Sequence, residues 1–188
     1  MKRTIGIIGI AAALFALPAA AQERGWYAGF SVGNSKWKEA CDGLPSGISC
    51  GDTTTTWKVI GGYQVNRNLA AEIGYTNRLS ESTASGLGLT DEIKSSALEL
   101  VAIPSYPIGD FSLFAKLGIY AAQTEETTNF AGNRSANTSD LTYGLGIGYQ
   151  FHRNLSARLE WQRYSKVGGG DIGTADVDVM NVGLLYRF

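Results

Sequence analysis

The sequence is poor in the residues on which metal sites and nucleic-acid binding depend. Its 188 residues include one histidine and two cysteines, and 16 basic against 17 acidic side chains leave a net charge of −1. Nucleic acid as a main partner would ask for a basic stripe, which this balance does not supply. With a single histidine, we expect neither a Cys/His metal site nor a bound cofactor.

Long apolar runs are missing beyond the N-terminus. No later stretch approaches the roughly 18 apolar residues that a spanning helix needs, and the mean hydropathy is −0.05. Charged residues make up 18% of the chain, below the usual quarter of about 25%. These features disfavour a polytopic helical membrane protein.

Glycine and aromatic residues are abundant instead. The chain has 24 Gly, 4 Trp, 9 Tyr and 7 Phe. Glycine costs about 1 kcal/mol at each helix-interior position relative to alanine, which disfavours a helical bundle. So many aromatic side chains require burial or lipid, which disfavours disorder. The composition therefore indicates an all-β protein, either soluble or in a membrane.

The N-terminus has the pattern of an export signal. Lys2 and Arg3 precede an uncharged, largely apolar run over 4–21, which Pro18 interrupts before three alanines that end at Ala21. This pattern predicts a secretory signal peptide over 1–21 that is cleaved after Ala21, which leaves 22–188 as a single domain. The alternative is an uncleaved N-terminal membrane anchor, for which the apolar core is short.

The two cysteines, Cys41 and Cys50, are nine positions apart with Gly43, Pro45 and Gly47 between them. An exported chain enters an oxidising compartment, so we expect these cysteines to form one disulfide that closes a loop. A metal or redox pair would favour the tighter C-x-x-C spacing.

Eight segments of the mature chain alternate between apolar and small or polar residues with a period of two. This alternation predicts β-strands with one apolar face and one face of glycine, serine and charged residues. The segments are 26–33, 57–64, 69–76, 98–105, 111–120, 143–151, 155–162 and 180–188.

Short and long connections alternate between these segments. The short ones are 65–68, 107–110 and 152–154, and the long ones, which we expect to be loops, are 34–54, 77–94, 123–140 and 165–175. This organisation is typical of an eight-stranded antiparallel up-and-down transmembrane β-barrel of a bacterial outer membrane. The alternative is a secreted soluble β-sandwich or lipocalin-like barrel. Aromatic residues near the ends of the apolar faces favour the membrane barrel, because they fit an interfacial girdle.

Several short motifs resemble the outer-membrane barrel family typified by the OmpA transmembrane domain. They occur in order as Gly25-Trp26-Tyr27-Ala28-Gly29, Gly61-Gly62-Tyr63-Gln64-Val65-Asn66, Glu72-Ile73-Gly74-Tyr75, Tyr106-Pro107-Ile108, Lys116-Leu117-Gly118, Ala157-Arg158-Leu159-Glu160-Trp161-Gln162 and Gly183-Leu184-Leu185-Tyr186-Arg187-Phe188. The resemblance implies a signal for the barrel-assembly machinery at Tyr186 and Phe188, and both chain termini in the periplasm. We also expect no periplasmic peptidoglycan-binding domain of the kind that many OmpA-type proteins carry.

The resemblance also implies a cluster of ion pairs in the lumen. In OmpA-type barrels, inward acidic and basic residues block a continuous channel, and the matching residues are Glu72, Lys116, Arg158 and Glu160. Gly148 stands where the family pattern often has an acidic residue, so we expect a cluster lighter by one charge. It is either a structural core that stiffens the barrel or the gate of a narrow pore.

These observations predict a non-enzymatic, monomeric protein with a structural or surface-interaction role. The one histidine, His152, lies at a predicted turn with no carboxylate placed to orient it. The expected partners are outer-membrane lipid, lipopolysaccharide and the barrel-assembly machinery, with a host or phage surface ligand for the loops. The rival function is a narrow porin that passes ions or small solutes.

Overall fold

The chain forms long antiparallel strands. A computed structural model describes residues 24–37, 49–51, 53–86, 89–128, 132–168 and 174–188. No helix in these ranges is long and apolar enough to span a membrane. The strands are β1 (Gly25–Trp37), β2 (Ser49–Gly51), β3 (Thr53–Asn66), β4 (Leu69–Gly86), β5 (Leu89–Ile108), β6 (Phe111–Thr128), β7 (Gly132–His152), β8 (Leu155–Gly168) and β9 (Thr174–Arg187). The predicted signal peptide lies outside the described residues.

Eight of these strands close into a barrel. Neighbours follow the order β4-β3-β1-β9-β8-β7-β6-β5, and β5 pairs with β4 to complete the ring. Every pairing is antiparallel, and the short β2 adds to the outer part of β4 through Cys50 opposite Ala84. The predicted eight-stranded antiparallel barrel is confirmed, and closure leaves no open sheet edge within it.

The two faces of each strand separate as the period of two predicts. Leu117 and Leu145 are about three-fifths exposed on the outside, whereas Lys58 and Lys116 are fully buried on the inside. A soluble barrel would carry its large apolar side chains inside, so this distribution excludes one. It matches a barrel whose outer surface meets lipid.

Aromatic pairs mark both ends of the outer apolar band. The three tight turns, 67–68, 109–110 and 153–154, lie at one end of the barrel, which we call the turn end. We call the opposite end the hairpin end. At the turn end, ring centroids of Trp26 and Tyr63 are 5.0 Å apart. At the hairpin end, those of Tyr143 and Trp161 are 6.2 Å apart. Such rings are suited to a membrane interface, where one edge is apolar and the other is wet.

The prediction of loops over 77–94 and 123–140 is wrong for the most part. There β4 and β5 remain paired up to Gly86 opposite Leu89, and β6 and β7 up to Thr128 opposite Gly132. Beyond the lipid neither face of a strand must be apolar, so the alternation that marks strands disappears although the backbone ladder continues. Only 87–88 and 129–131 separate these strands.

The interior is layered along the barrel axis. On β5 the buried residues run Ala97, Glu99, Val101, and on β6 they run Phe114, Lys116, Tyr120. Charged side chains therefore lie between two apolar clusters. The turn-end cluster contains Tyr27, Ile60, Ala70, Val101, Ile103 and Phe114. The hairpin-end cluster contains Leu79, Ala97, Tyr120, Ala122, Tyr164, Val167, Val177 and Val179.

Candidate functional site

Six charged side chains meet in the middle of the lumen, and we call them the charged layer. Each occupies an inward position of its strand, and each is at most 5% exposed. Three are basic and three are acidic, so the charged layer is neutral as a whole. Its members are Lys58 on β3, Glu72 on β4, Glu99 on β5, Lys116 on β6, and Arg158 and Glu160 on β8.

Arg158 and Glu72 form the closest pair in the layer. Arg158 donates from Nη1 to Glu72 Oε1 at 2.6 Å and from Nη2 to Oε2 at 3.1 Å. Tyr27 on β1 donates its hydroxyl to the same Oε1 at 2.7 Å. Arg158 Nε also lies 3.1 Å from Glu160 Oε2, but this ion contact lacks hydrogen-bond geometry. The fork-to-fork pairing fixes both side chains across the barrel.

The two lysines bridge the remaining carboxylates. Lys58 Nζ lies 3.2 Å from Glu99 Oε1 and 3.3 Å from Glu160 Oε1. Lys116 Nζ lies 3.2 Å from Glu99 Oε1, 3.4 Å from Glu160 Oε2 and 3.7 Å from Glu72 Oε2. Each ammonium therefore touches at least two carboxylates, and every carboxylate of the layer touches at least two cations.

Gln162, next to the layer on β8, completes the hydrogen bonding. Its amide oxygen accepts from Lys58 Nζ at 2.7 Å and from Lys116 Nζ at 3.2 Å. Its amide nitrogen donates to Glu99 Oε2 at 2.8 Å and to Thr142 Oγ1 on β7 at 2.7 Å. The Tyr164 hydroxyl also donates to Glu99 Oε2. Glu99 is thus saturated from several sides, as a buried carboxylate must be.

The network reaches every strand of the closed barrel. Tyr27 joins it from β1, Thr142 from β7, and Asn181 from β9 through a 3.4 Å bond to Glu160 Oε1. Ions buried in a low-dielectric interior are tolerated only when charges and hydrogen bonds are matched. Because the partners lie on different strands, this matching also ties opposite walls of the barrel together.

Glycines on the inward faces make room for the bulky members of the turn-end cluster. A Cβ on Gly62 would lie 2.2 Å from Tyr27 Cζ, and one on Gly146 would lie 2.3 Å from Phe114 Cζ. The Arg158 guanidinium carbon stands 5.6 Å from the centroid of the Phe114 ring. The two rings therefore lie directly against the barrel wall, below the charged layer.

The structure brings together the four predicted site residues, Glu72, Lys116, Arg158 and Glu160. It adds Lys58 and Glu99, which sequence reasoning left out of the cluster. Their signal was present, since both are charged residues on an otherwise small and polar inward face. The expected loss of a charge at Gly148 is offset, because Glu99 supplies a third carboxylate from β5.

The other predicted residues lie apart from the lumen network. Tyr186 and Phe188 face outward at the turn end with ring centroids 5.4 Å apart, and Phe188 donates its backbone N–H to Trp26 O at 3.0 Å. His152 is exposed at the end of β7. Of the cysteine pair, Cys41 lies outside the described residues, and only the backbone of Cys50 is described, on β2.

Comparison with known protein families leads to the same fold as the structure. Residues 7–188 match the family described as "Outer membrane protein beta-barrel domain". The chain belongs to this family. It is 29% identical to outer membrane protein A of Klebsiella aerogenes, over 100% of this chain and 56% of that protein. It is 30% identical to outer membrane protein A of Salmonella typhi with the same coverage.

These relatives confirm the OmpA-type resemblance and locate this barrel in the bacterial outer membrane. The chain spans about half the length of the curated relatives it matches. Among solved structures, the N-terminal β-barrel domain of Pseudomonas aeruginosa OprF has a TM-score of 0.59 at 12% identity, covering 89% of this chain and 100% of that one. Ail of Yersinia pestis, in complex with the heparin analogue sucrose octasulfate, has 0.57 at 16%, covering 87% and 99%. At sequence identities this low, the structural likeness is evidence for the fold alone.

Proposed function

We propose that this outer-membrane barrel has a structural or surface-interaction role and that its lumen is largely blocked, with no steady open pore. One observation carries the proposal. The six side chains of the neutral charged layer are buried in the middle of the lumen, and apolar clusters lie on both sides of it. An ion that crosses would have to pass two apolar constrictions as well as the paired charges, and each desolvates it.

Planar-bilayer conductance of the refolded protein tests this proposal. We expect no steady current steps from the wild type. Steady, long-lived open steps would contradict the closed lumen and favour the rival function, a narrow porin that passes ions or small solutes.

The second reading of the charged layer, a gate, has its own test in Glu160→Gln. This change removes the carboxylate shared by Lys58, Lys116 and Arg158 and keeps the size of the side chain. A gate should then open more often. We expect the current record to stay at baseline, because the apolar clusters above and below are untouched. Asp140→Asn, which removes a carboxylate from a rim ion pair with Lys166, is the control.

The hairpin end is the surface we propose for contacts with lipopolysaccharide and with a host or phage ligand. The long β4–β5 and β6–β7 hairpins support this role, because they extend past the aromatic pairs at that end. The Ail structure holds a heparin analogue, which is a property of that protein. Binding of intact cells to sulfated polysaccharide, with and without shortened hairpins, would test the role here. We propose no enzymatic activity.

The remaining elements of the proposal concern export and assembly. We propose that residues 1–21 are a cleaved signal peptide, that Cys41 and Cys50 form a disulfide, and that the barrel is a monomer with both termini in the periplasm. Tyr186 and Phe188 would be read by the barrel-assembly machinery. Their outward position at the turn end supports this. Replacing Phe188 with Ser should lower the amount of folded barrel in outer-membrane fractions.

A further inference from the structure

The turn end carries an excess of arginine that the barrel itself does not neutralise. Arg24, Arg67 and Arg153 are exposed there and Arg187 is half-buried, whereas Asp110 is the one acidic side chain at this end among the described residues. None of the four arginines forms an ion pair with any residue that the structure describes. In the charged layer, by contrast, every cation lies against a carboxylate.

The arginines lie on one side of the rim. Arg67 is in the turn between β3 and β4, Arg24 precedes β1, Arg187 ends β9, and Arg153 is in the turn between β7 and β8. In the closed barrel these elements are consecutive, in the order β4-β3-β1-β9-β8-β7. Asp110 is in the turn between β5 and β6 on the opposite side. Arg187 points into the barrel, because its neighbours Tyr186 and Phe188 face outward, so we define the arginine crescent as Arg24, Arg67 and Arg153.

In two of the turns, an asparagine side chain fixes the backbone next to the arginine. In each, an asparagine follows the arginine and ties the turn to the next hairpin or strand. Asn68 Nδ2 donates to Ser105 O at 2.9 Å, and Asn154 Nδ2 donates to Arg187 O at 2.8 Å. Because the asparagine anchors the backbone, the preceding arginine is left at the exposed position of a fixed turn.

Each exposed arginine also borders the lipid-facing band. Trp26, Leu69 and Phe151 are all between 38% and 54% exposed on the outside, and each lies within two residues of an arginine of the crescent. A side chain that starts at this edge and carries a charged tip extends into the headgroup region of the adjoining leaflet. Arginine there offers a planar set of donors that fits a phosphate with two parallel hydrogen bonds.

We propose that the arginine crescent binds the phosphate groups of anionic phospholipids in the leaflet that surrounds the turn end. The observations favour lipid over a soluble anionic polymer, because the arginines border the apolar band and lie on one arc of the barrel wall. In the cell this leaflet is the periplasmic one if the orientation proposed above is right. The binding itself requires only that the barrel spans a membrane.

Electron paramagnetic resonance of spin-labelled lipids in vesicles tests the proposal. The full chain is refolded into phosphatidylcholine vesicles that contain a trace of spin-labelled phosphatidylglycerol or spin-labelled phosphatidylcholine. The motionally restricted fraction then gives the relative affinity. We expect phosphatidylglycerol to be held about fivefold more tightly at each arginine of the crescent. The variant Arg24→Gln/Arg67→Gln/Arg153→Gln should lose this preference.

A matched variant removes three cations from the opposite end, as Lys36→Gln/Arg78→Gln/Lys166→Gln, and should keep the preference. Heat-modifiable gel mobility verifies that each variant is folded. If the turn-end variant does not fold, the proposal is tested by the hairpin-end variant, which must keep the preference, together with the salt dependence of the wild type. Its preference must fall in 0.5 M salt, where the Debye length is only about 4 Å.

Three results would overturn the proposal. The first is equal affinity of the wild type for the two lipids, and the second is a preference that survives either the turn-end substitutions or high salt. The third is an arginine-dependent sedimentation of the detergent-solubilised protein with purified peptidoglycan in the absence of a lipid preference. That result would assign the crescent to the cell wall instead.

Discussion

Arg158 and Arg163 lie five positions apart on β8 and face opposite sides of the barrel wall. Each holds a carboxylate with two nitrogens, Arg158 with Glu72 in the lumen and Arg163 with Asp178 on the outside, at 2.6 and 2.9 Å. Both pairs are bidentate, but Arg158 uses Nη1 and Nη2 whereas Arg163 uses Nε and Nη2. The Glu72 pair is buried and the Asp178 pair is 22% exposed. The two sites therefore compare a bidentate pair inside the buried network with one on the outer wall of the barrel.

Arg158→Gln should destabilise the barrel far more than Arg163→Gln. Removing one partner of a buried pair leaves an uncompensated charge, and we expect a loss of about 3–5 kcal/mol in the free energy of unfolding. The outer pair should contribute about 1 kcal/mol or less. Urea unfolding in lipid vesicles, followed by tryptophan fluorescence, measures both. Equal losses would show that burial does not set the strength of the lumen pair.

Two adjacent glycines of β3 allow a second comparison. A Cβ on Gly62 would collide with the Tyr27 ring, whereas the nearest atom to a Cβ on Gly61 is Ile73 Cγ2 at 3.7 Å. We expect Gly62→Ala to lower the free energy of unfolding by about 1–3 kcal/mol, because Tyr27 must move away from Glu72. Gly61→Ala faces lipid and should change it by less than about 1 kcal/mol. The same urea titration measures both variants. An unchanged free energy of unfolding for Gly62→Ala would show that Tyr27 is loosely held.

At the scale of elements, two strands change their inward positions through bulges. On β4 the inward residues have even numbers up to Thr76, and after an irregularity Leu79 points inward. On β8 they are even up to Tyr164, and after another irregularity Val167 points inward. Arg78 and Lys166, within these bulges, have φ of 52° and 54°. Both bulges supply apolar side chains to the hairpin-end cluster, which strict alternation does not predict.

Hydrogen exchange tests the extension of the strands beyond the lipid. Residues 91–94 of β5 are paired with β4 on one side and β6 on the other. Residues 132–141 of β7 are paired with β6 alone, because its pairing with β8 begins at Thr142. We expect continuous amide protection over 91–94 and protection of alternate amides over 132–141, measured by NMR in micelles. Fast exchange throughout both ranges would contradict the paired strands and support the loops expected from the sequence.

At the scale of the whole molecule, three layers follow one another in the interior, and our proposal is that together they close the lumen. They are the turn-end cluster, the charged layer and the hairpin-end cluster, in order along the barrel axis. If three layers block the lumen one after another, weakening one of them leaves the other two in place, and the barrel should still not conduct ions. The layers also differ chemically, so no single type of ligand or change in pH acts on all of them.

Phe114→Ala in the turn-end cluster and Tyr120→Ala in the hairpin-end cluster probe this arrangement. Each should lower the free energy of unfolding by about 3–5 kcal/mol, because a large buried ring is removed. Each should leave the planar-bilayer current at baseline. Steady current steps from one variant alone would identify that cluster as the single barrier and contradict closure in series.

The sequence by itself determined the barrel, its eight membrane-crossing segments and the face that each residue of those segments takes. It could do so because lipid on one side and a narrow polar lumen on the other impose a period of two on every crossing segment. The three short turns followed for the same reason, since they interrupt that period with polar residues.

Only the tertiary structure decided which charges meet and where the strands end. Lys58 and Glu99 join the charged layer because closure brings β3, β5 and β8 together across the lumen, and no spacing along the chain encodes that approach. The strand extensions and the bulges at Arg78 and Lys166 also escaped the sequence. Outside the lipid, backbone pairing and local packing decide the structure, and neither requires an alternating pattern of side chains.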